Sequence, residues 1–398
     1  MSQAVIIDAI RTPRAIAKDT GALHSLTPID LLAGVLQAMQ KRQAFDTKDI
    51  ADAVFGCVTQ TGEQGGNIGK AALAIAGWDK SVPAVTINRY CASGLTAVNL
   101  ASMQATAADG LALAGGVEMM SRVAMLSDKA PLYSDPATSQ AAQFFPLPLT
   151  ADVLATREGI TRADCDAYAA LSQARAAAAI DSGRFAKSQV PVVAKDGRVL
   201  LERDETVRRG NTVEKLASMK TVYETGAGGL DAMILELNPD LTSVSHVHTA
   251  GNAPCMADGA AVALLATAAS AKQLGLSPRA RIIAHADAGA AGGLSGDGEA
   301  TRKALARAKL RIDDIDLFEV RDSFAAPTLS YMRTLGVPVE KFNVNGSSIA
   351  LGHPLGATGC MLISTLLDEL ERRNLRYGLA AITGAMGIAT ATVIDRHC

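Results

Sequence analysis

Short apolar runs alternate with helical patterns along most of this chain, and that alternation constrains the fold most. The runs that we interpret as strands include residues 5–7, 53–56, 82–87, 111–116, 282–284, 315–320 and 379–382. Between the first two, Leu32, Leu36 and Met39 recur at helical spacing after a capped start at Thr27 and Pro28. Strands that are apolar on both faces and separated by helices are typical of parallel sheets covered on both sides. The sequence therefore predicts an α/β fold.

The pattern changes between residues 121 and 248, where proline, serine and short polar stretches replace the alternation. We interpret this segment as an insertion that packs over the first α/β unit. The predicted domains are residues 1–120 together with 249–272, the insertion 121–248, and residues 273–398. Gly-Leu-Ala occurs at 110–112 and again at 378–380, which indicates two similar α/β halves.

Composition excludes several classes of partner. The 38 Lys and Arg residues nearly balance the 40 Asp and Glu residues without forming a basic block, so nucleic acid is not an expected partner. The apolar runs are too short to span a membrane, and no signal peptide is expected. Six scattered cysteines favour a reduced, cytoplasmic setting. His246 and His248 have no cysteine or carboxylate company in the sequence, so no metal site is expected.

Residues 88–98, Asn-Arg-Tyr-Cys-Ala-Ser-Gly-Leu-Thr-Ala-Val, join a buried strand to an alanine-rich helix and place Cys91 at the corner. The N–H groups at a helix N-terminus stabilise a thiolate and lower the pKa of a cysteine. Cys91 is therefore a candidate nucleophile. The alternative is a small apolar residue at a strand–helix junction, and the local sequence leaves both interpretations open.

Residues 343–359 are the second unusual stretch, a loop punctuated by glycines that ends at a helix. Its single histidine, His353, is fixed between Gly352 and Pro354. A histidine held at one orientation can act as a general base beside a thiol. The alternative is a structural loop histidine, and the density of glycines favours the functional interpretation.

With both motifs in place, the chain resembles the thiolase family from residue 11 to residue 393. The matching blocks are residues 11–13, 88–98, 115–121, 209–216, 249–252, 258–261 and 352–354. The resemblance implies a five-layered αβαβα fold of two duplicated α/β halves with an inserted loop domain. It also implies a cytoplasmic homodimer or homotetramer that uses coenzyme A thioesters and has no tightly bound cofactor. The proline-rich residues 131–148 would line an acyl pocket or form an oligomer contact.

The resemblance also implies roles for individual residues. Cys91 would take the acyl group and His353 would activate it, while the backbone N–H groups of Cys91 and Thr383 would form an oxyanion hole. The residues implied in binding coenzyme A are Arg209, Thr212, Ala253 and Pro254.

Three positions depart from the family pattern. Arg321, in the block Arg-Asp-Ser-Phe, replaces an asparagine that holds a water in a second oxyanion hole. Ala381 replaces a second cysteine that moves the α-proton of acetyl-CoA, and Pro254 replaces a serine of the coenzyme A loop. Because alanine carries no proton, the usual acid/base group is missing.

Cys360 and Cys255 are the candidates for a relocated acid/base group, and Asp322 is a weaker one. Either cysteine is equally well explained as a small core residue. Arg321 would bind a carboxylate or enolate oxygen, or lower the pKa of His353, and the alternative for it is an ion pair at the surface.

The predicted function is that of an acyl-CoA C-acyltransferase. It would form a thioester on Cys91 and make or cleave a carbon–carbon bond of a 3-oxoacyl-CoA, with altered acid/base chemistry. Decarboxylative condensation is a competing hypothesis, because a decarboxylating donor needs no α-proton abstraction. Two further hypotheses are acyl transfer or hydrolysis that requires only Cys91 and His353, and a non-catalytic acyl-CoA-binding subunit.

Overall fold

The structure is a computed structural model that describes residues 3–224, 226, 229–290 and 296–398. Its strands are β1 (Ala4–Arg11), β2 (Ala15–Ile16), β3 (Ile50–Gly56), β4 (Ala84–Ile87), β5 (Leu111–Met119), β6 (Val192–Val193), β7 (Val199–Leu201), β8 (Ala257–Thr267), β9 (Ala280–Gly289), β10 (Leu317–Val320), β11 (Tyr377–Thr383) and β12 (Ile388–Asp395).

The helices are distributed between the strands, as the alternation predicted. They are α1 (Pro28–Gln43), α2 (Ile68–Ile75), α3 (Ser93–Ala108), α4 (Pro131–Ser134), α5 (Pro136–Ala141), α6 (Leu147–Glu158), α7 (Arg162–Asp181), α8 (Val213–Ala217), α9 (Leu230–Glu236), α10 (Ala268–Gln273), α11 (Gly296–Ala308), α12 (Ala325–Leu335), α13 (Ser348–Leu351) and α14 (Leu355–Arg373). Thr27 caps α1 by accepting from the Asp30 amide, as expected from the sequence.

The order of the strands shows two similar halves. The first half runs β4-β3-β5-β8-β1, and the second runs β10-β11-β12-β9. Phe342 forms a parallel bridge to Phe318 of β10, in the place that β4 has beside β3. Corresponding neighbours also share direction. β3 is parallel to β4 and β5, as β10 is parallel to the Phe342 bridge and β11, whereas β5–β8, β8–β1, β11–β12 and β12–β9 are antiparallel. The predicted duplication is therefore confirmed, although the only sequence sign of it was a three-residue echo.

Three hydrophobic clusters separate the layers. One packs α1 and α2 against the outer face of the first half, and another packs α11 and α12 against the outer face of the second. The central cluster contains α3 and α14, which pack on each other and on both halves. These layers form the predicted αβαβα fold.

The segment between β5 and β8 contains α4 to α9 and the small β6–β7 sheet. It has a hydrophobic cluster of its own, built around Leu149, Val153, Ile234 and Val244. We call this segment the loop domain. Among the described helices, none is both long and apolar enough to cross a lipid bilayer.

Candidate active site

The two central helices begin side by side because small residues let their backbones approach closely. A methyl group built on Gly94 would lie 2.6 Å from the carbonyl oxygen of Gly356, and one on Gly359 would lie 2.0 Å from the amide nitrogen of Leu95. Cys91 lies just before α3, and His353 lies just before α14. The contact between the helix N-termini therefore brings the two candidate catalytic residues to one place.

The turn that carries Cys91 is braced by a nearby hydroxyl group. Ser93 Oγ accepts from the Arg89 amide at 2.8 Å and donates to the Tyr90 carbonyl at 2.6 Å. Tyr90 has a left-handed backbone with φ of 48°, which is rare for a bulky residue. A methyl group built on Gly384 would lie 3.5 Å from the Cys91 amide nitrogen, so the turn after β11 adjoins Cys91.

The pKa of Cys91 differs from the sequence-based expectation. Burial raises the pKa of the thiol, the charge of Arg321 lowers it, and the effect of burial is the larger. The expected lowering by the helix N-terminus is therefore outweighed in the free protein. The protonated thiol is therefore favoured by the surroundings of Cys91.

His353 is held as a neutral imidazole. Its Nδ1 lies 2.7 Å from Thr358 Oγ1, and that hydroxyl donates to the Pro354 carbonyl at 3.1 Å. Because the hydroxyl has a single hydrogen, it accepts from Nδ1–H, which leaves the lone pair on Nε2. Burial, with the charges of Arg321 and Arg14, holds the pKa of His353 well below its usual range. Nε2 is therefore the ring nitrogen that can accept a hydrogen bond or a proton, while the lowered pKa disfavours the protonated ring in the free protein.

Arg321 is a buried cation without a carboxylate partner at ion-pair distance among the described residues. Its Nη1 lies 3.3 Å from His353 Nε2, its Nη2 donates to the Thr383 carbonyl at 2.9 Å and to Ser323 Oγ, and its Nε has no partner there. The interpretation of Arg321 as a surface residue is therefore wrong. A buried charge of this kind is costly unless a negative charge appears beside it.

Ala381 lies near the end of β11, at the position where the family pattern has a second catalytic cysteine. The Ala381 methyl group packs in the outer cluster of the second half, whereas Cys91 belongs to the central cluster. Ala381 therefore lies on the face of β11 opposite to the one that packs in the central cluster. Thr383 ends the strand, and its carbonyl contacts Arg321. Its hydroxyl donates to the Ile388 carbonyl at 3.3 Å.

The candidate relocated bases differ in their surroundings. Cys360 lies in the central cluster with Cys91, and burial raises the pKa of its thiol to about 12. Cys255 is half-buried, its carbonyl accepts from the His353 amide at 2.8 Å, and its Sγ is 4.0 Å from Arg208. Burial also raises the pKa of Cys255, although Arg208 opposes this.

Two buried carboxyl groups also lie near the site. Burial raises the pKa of Asp322 to about 7, and its oxygens accept from the Ile349 amide and from Ser172 and Tyr168. Burial raises the pKa of Asp297 to about 6, and Arg321 is close enough for its charge to oppose that rise. Asp297 escaped the sequence analysis because no motif surrounds it.

The residues implied in binding coenzyme A lie in two places. Ala253 packs beside Phe324, and Pro254 comes directly before Cys255. Arg209 forms an exposed bidentate ion pair with Asp181, and Thr212 caps α8. A role for Arg209 in binding a phosphate would require this surface pair to open.

His246 and His248 have carboxylate company that their sequence neighbours did not show. Both Nδ1 atoms contact Asp152, at 2.8 Å and 2.7 Å, and His246 Nε2 also contacts Asp231. The expectation of no carboxylate partner is therefore wrong, because Asp152 comes from α6. Within the described ranges, no group of three or more His, Cys, Asp or Glu residues could hold a metal ion.

Comparison with known proteins identifies the family. Residues 4–233 match the model of the thiolase N-terminal domain, and residues 276–396 match the model of the thiolase C-terminal domain. The chain belongs to the thiolase family. It is 39% identical over 406 residues to a 3-ketoacyl-CoA thiolase of Aeromonas hydrophila subsp. hydrophila, with all of both chains covered. It is 38% identical over 421 residues to a beta-ketoadipyl-CoA thiolase of Pseudomonas aeruginosa, again with full coverage of both.

The resemblance noted in the sequence is thus confirmed along the whole chain. This thiolase-family protein is an enzyme of the acyltransferase class, and coenzyme A thioesters are its substrates. Thr358 and Ser323 are the contacts that sequence reasoning missed. Both lie inside blocks already singled out, and a search for hydroxyl groups within five residues of His353 and Arg321 would have found them.

Proposed function

We propose that this enzyme makes or cleaves a carbon–carbon bond of a 3-oxoacyl-CoA through an acyl group carried on Cys91. His353 takes the proton of the Cys91 thiol, and the sulfur forms a bond to the thioester carbonyl carbon. The bond between that carbon and the sulfur of coenzyme A breaks, and the leaving sulfur takes up the proton. The free thiols and the lack of Cys-x-x-Cys spacing support a cytoplasmic site of action.

The observation that supports this proposal most is the shared environment of Cys91, His353 and Arg321. The guanidinium group lowers the pKa of both catalytic residues, and it contacts the imidazole nitrogen that carries the lone pair. The positive charge favours a thiolate, and it would also stabilise an oxyanion. Donors oriented in this way before the reaction commonly contribute several kcal/mol to transition-state stabilisation.

Arg321 also favours decarboxylative condensation as a second candidate reaction. In that route the donor thioester loses carbon dioxide, and the electron pair of the broken bond forms an enolate that attacks the acyl carbon on Cys91. The bond between that carbon and the Cys91 sulfur then breaks, and Cys91 leaves as a thiolate. No base has to remove an α-proton, and Arg321 supplies a buried cation for the enolate oxygen. The protonated state of Cys360 and the orientation of Ala381 make a thiol base harder to supply.

The first experiment measures the intact mass of the protein after incubation with acetyl-CoA and longer acyl-CoAs. We expect a mass gain of one acyl group that the Cys91→Ser variant lacks. Absence of a Cys91-dependent gain with every thioester would refute the acyl-enzyme mechanism.

A second experiment separates the two carbon–carbon reactions. Thiolysis of acetoacetyl-CoA by coenzyme A is compared with condensation from malonyl-CoA. Thiolysis that disappears in Cys255→Ala, Cys360→Ala or Asp297→Asn would identify a relocated base. Condensation without thiolysis would support the decarboxylative route.

A further inference from the structure

A buried carboxylate–imidazole pair joins the loop domain to the first turn of α12. Asp152 of α6 and His248 are both fully buried, and Asp152 Oδ1 lies 2.7 Å from His248 Nδ1. On the other side of the ring, His248 Nε2 accepts from the Ala326 amide at 3.3 Å. The ring of Phe324 meets the imidazole edge-on, with the ring centroids 5.4 Å apart. The imidazole therefore connects α6 with the point where α12 begins.

The arrangement of donors determines the tautomer of His248. A backbone amide can only donate, so Nε2 carries the lone pair and Nδ1 carries the hydrogen. Asp152 Oδ1 accepts that hydrogen, and it also accepts from the amides of Val247 and His248 at 3.0 Å and 3.2 Å. The carboxylate thus holds the imidazole in the orientation that presents its lone pair to α12.

α12 needs this contact because its N-terminus has no side-chain cap of its own. Phe324 is the N-cap residue, and its side chain cannot accept a hydrogen bond. The first amides of the helix therefore need acceptors from elsewhere. The Asn252 carbonyl accepts from the Ala325 amide at 3.1 Å, and His248 Nε2 accepts from the next amide. Both acceptors belong to the loop domain, which thereby fixes the start of a helix in the second half.

Arg321 lies in the short connection between β10 and α12, residues 321–324. At the β10 end, the Arg321 amide donates to the Ala381 carbonyl of β11 at 3.1 Å. At the α12 end, His248 holds the first turn of the helix. The guanidinium group reaches Nε2 of His353 from this connection. Because four residues leave little slack between two anchored ends, the place of the cation depends on where α12 begins.

We infer that His248, oriented by Asp152, is a positioning residue through which the loop domain places Arg321 beside His353 and Cys91. His248 does not touch the reacting groups itself and acts through the first turn of α12. The inference goes beyond the proposed carbon–carbon chemistry, because it concerns the place of the cation and does not depend on acylation of Cys91.

The test measures iodoacetamide labelling of Cys91 across pH in the full-length protein, by mass analysis of the Cys91 peptide. His248→Phe keeps a ring of similar size and removes both nitrogen contacts. Because the charge of Arg321 lowers the pKa of Cys91, a displaced cation should move the labelling profile to higher pH. We expect a shift of about half a pH unit, which slows labelling about threefold at any pH below the pKa. His248→Gln keeps an acceptor for the Ala326 amide and should restore most of the rate.

A double variant separates positioning from a general loosening of the fold. If His248 acts through Arg321, adding His248→Phe to Arg321→Met should move the profile no further than Arg321→Met alone. A general loosening would instead add to the effect of the first substitution. Circular dichroism and the urea midpoint of each variant report that it is folded.

His246→Phe is the matched control. His246 Nδ1 contacts the same carboxylate at 2.8 Å, but its other nitrogen contacts Asp231 rather than α12. The control should leave the labelling profile unchanged. An unchanged profile in His248→Phe, equal shifts in His248→Phe and His246→Phe, or additive shifts in the double variant would overturn the inference. Failure of every thioester to modify Cys91 would refute the acyl-enzyme mechanism alone, so the two proposals fail separately.

Discussion

Arg321 couples the two candidate catalytic residues, Cys91 and His353, through its charge. It lies against Nε2 of His353, and its charge lowers the pKa of both His353 and Cys91. Thiolase-like chemistry at this site therefore begins from a neutral thiol, a neutral imidazole and a fixed cation. The cation favours the state in which Cys91 has lost its proton.

Replacing Arg321 by methionine tests this coupling. Because the cation lowers the pKa of Cys91, its removal should raise that pKa and move the alkylation profile of Cys91 to higher pH. A shift of about one pH unit would slow alkylation about tenfold at any pH below the pKa. Iodoacetamide labelling, followed by mass analysis of the Cys91 peptide across pH, measures it. Arg302→Met, on an exposed part of α11, is the control, and identical profiles for both variants would contradict the coupling.

Thr358 positions His353 through Nδ1, so it should affect the reaction without touching substrate. We expect Thr358→Val to lower the rate of Cys91 acylation by about 10- to 100-fold, because the ring loses the acceptor that fixes its orientation. Thr358→Ser keeps the hydroxyl and should restore most of the rate. In nitrogen-15 spectra of labelled histidine, the unsubstituted protein should show Nδ1–H, and Thr358→Val should show a tautomer mixture. An unchanged rate and tautomer in Thr358→Val would remove its positioning role.

At the scale of secondary-structure elements, Glu118 fixes the N-terminus of α14 to the end of β5. Its Oε2 accepts from the amides of Val58 and Gly356 at 2.9 Å, and its Oε1 accepts from Thr59 and Gln64 at 3.1 Å and 2.8 Å. All four partners are donors. Only a carboxylate can satisfy them together, even though burial raises the pKa of Glu118.

Glu118→Gln should therefore destabilise the protein. The new amide group places two donors against existing donors, and unsatisfied buried groups cost roughly 1–3 kcal/mol each, so we expect a loss of about 2–4 kcal/mol. Urea-induced unfolding measures the change. Glu63→Gln, which breaks an exposed ion pair with Arg122, should cost less than about 1 kcal/mol. Equal losses in the two variants would show that the donor arrangement at Glu118 is unimportant.

Element boundaries show what the sequence could and could not predict. The cap and the apolar spacing predict α1 because a local hydrogen bond at Thr27 determines where that helix begins. The loop predicted for residues 343–359 overlaps the start of α14 at Leu355, because the glycines near its N-terminus look unfavourable for a helix. They are required there by the close contact with α3.

At the scale of the whole molecule, the duplication and the site could be predicted to different degrees. The motifs around Cys91 and His353 pointed to catalysis, and one role predicted for Arg321, lowering the pKa of His353, is confirmed. They did not show that Arg321 Nη1 would lie against His353 Nε2, a contact between residues 32 positions apart. The side of β11 that Ala381 faces depends on strand register, which residue matching does not reveal. Contacts of this kind become visible only when the strands and loops of the second half pack together.

The expected homodimer or homotetramer can be examined through the open edge of the first half. β4 ends the order of strands, and within the described residues no further strand pairs with it. Its residue Val85 is 43% exposed, which is a favourable arrangement for pairing with a second copy. Because β4 leads directly into the turn of Cys91, a partner there would also support the nucleophile.

We therefore expect light scattering to give the mass of two or four chains, and Val85→Lys to lower it towards one chain. A lysine at this position brings like charges together across the pairing and hinders it. The rate of Cys91 acylation should fall together with the mass, because the turn after β4 loses its support. Val193→Lys on β6, where the valine is 49% exposed, should change neither. A single-chain mass for the unsubstituted protein would contradict the oligomer, and an unchanged mass in Val85→Lys would place its interface elsewhere.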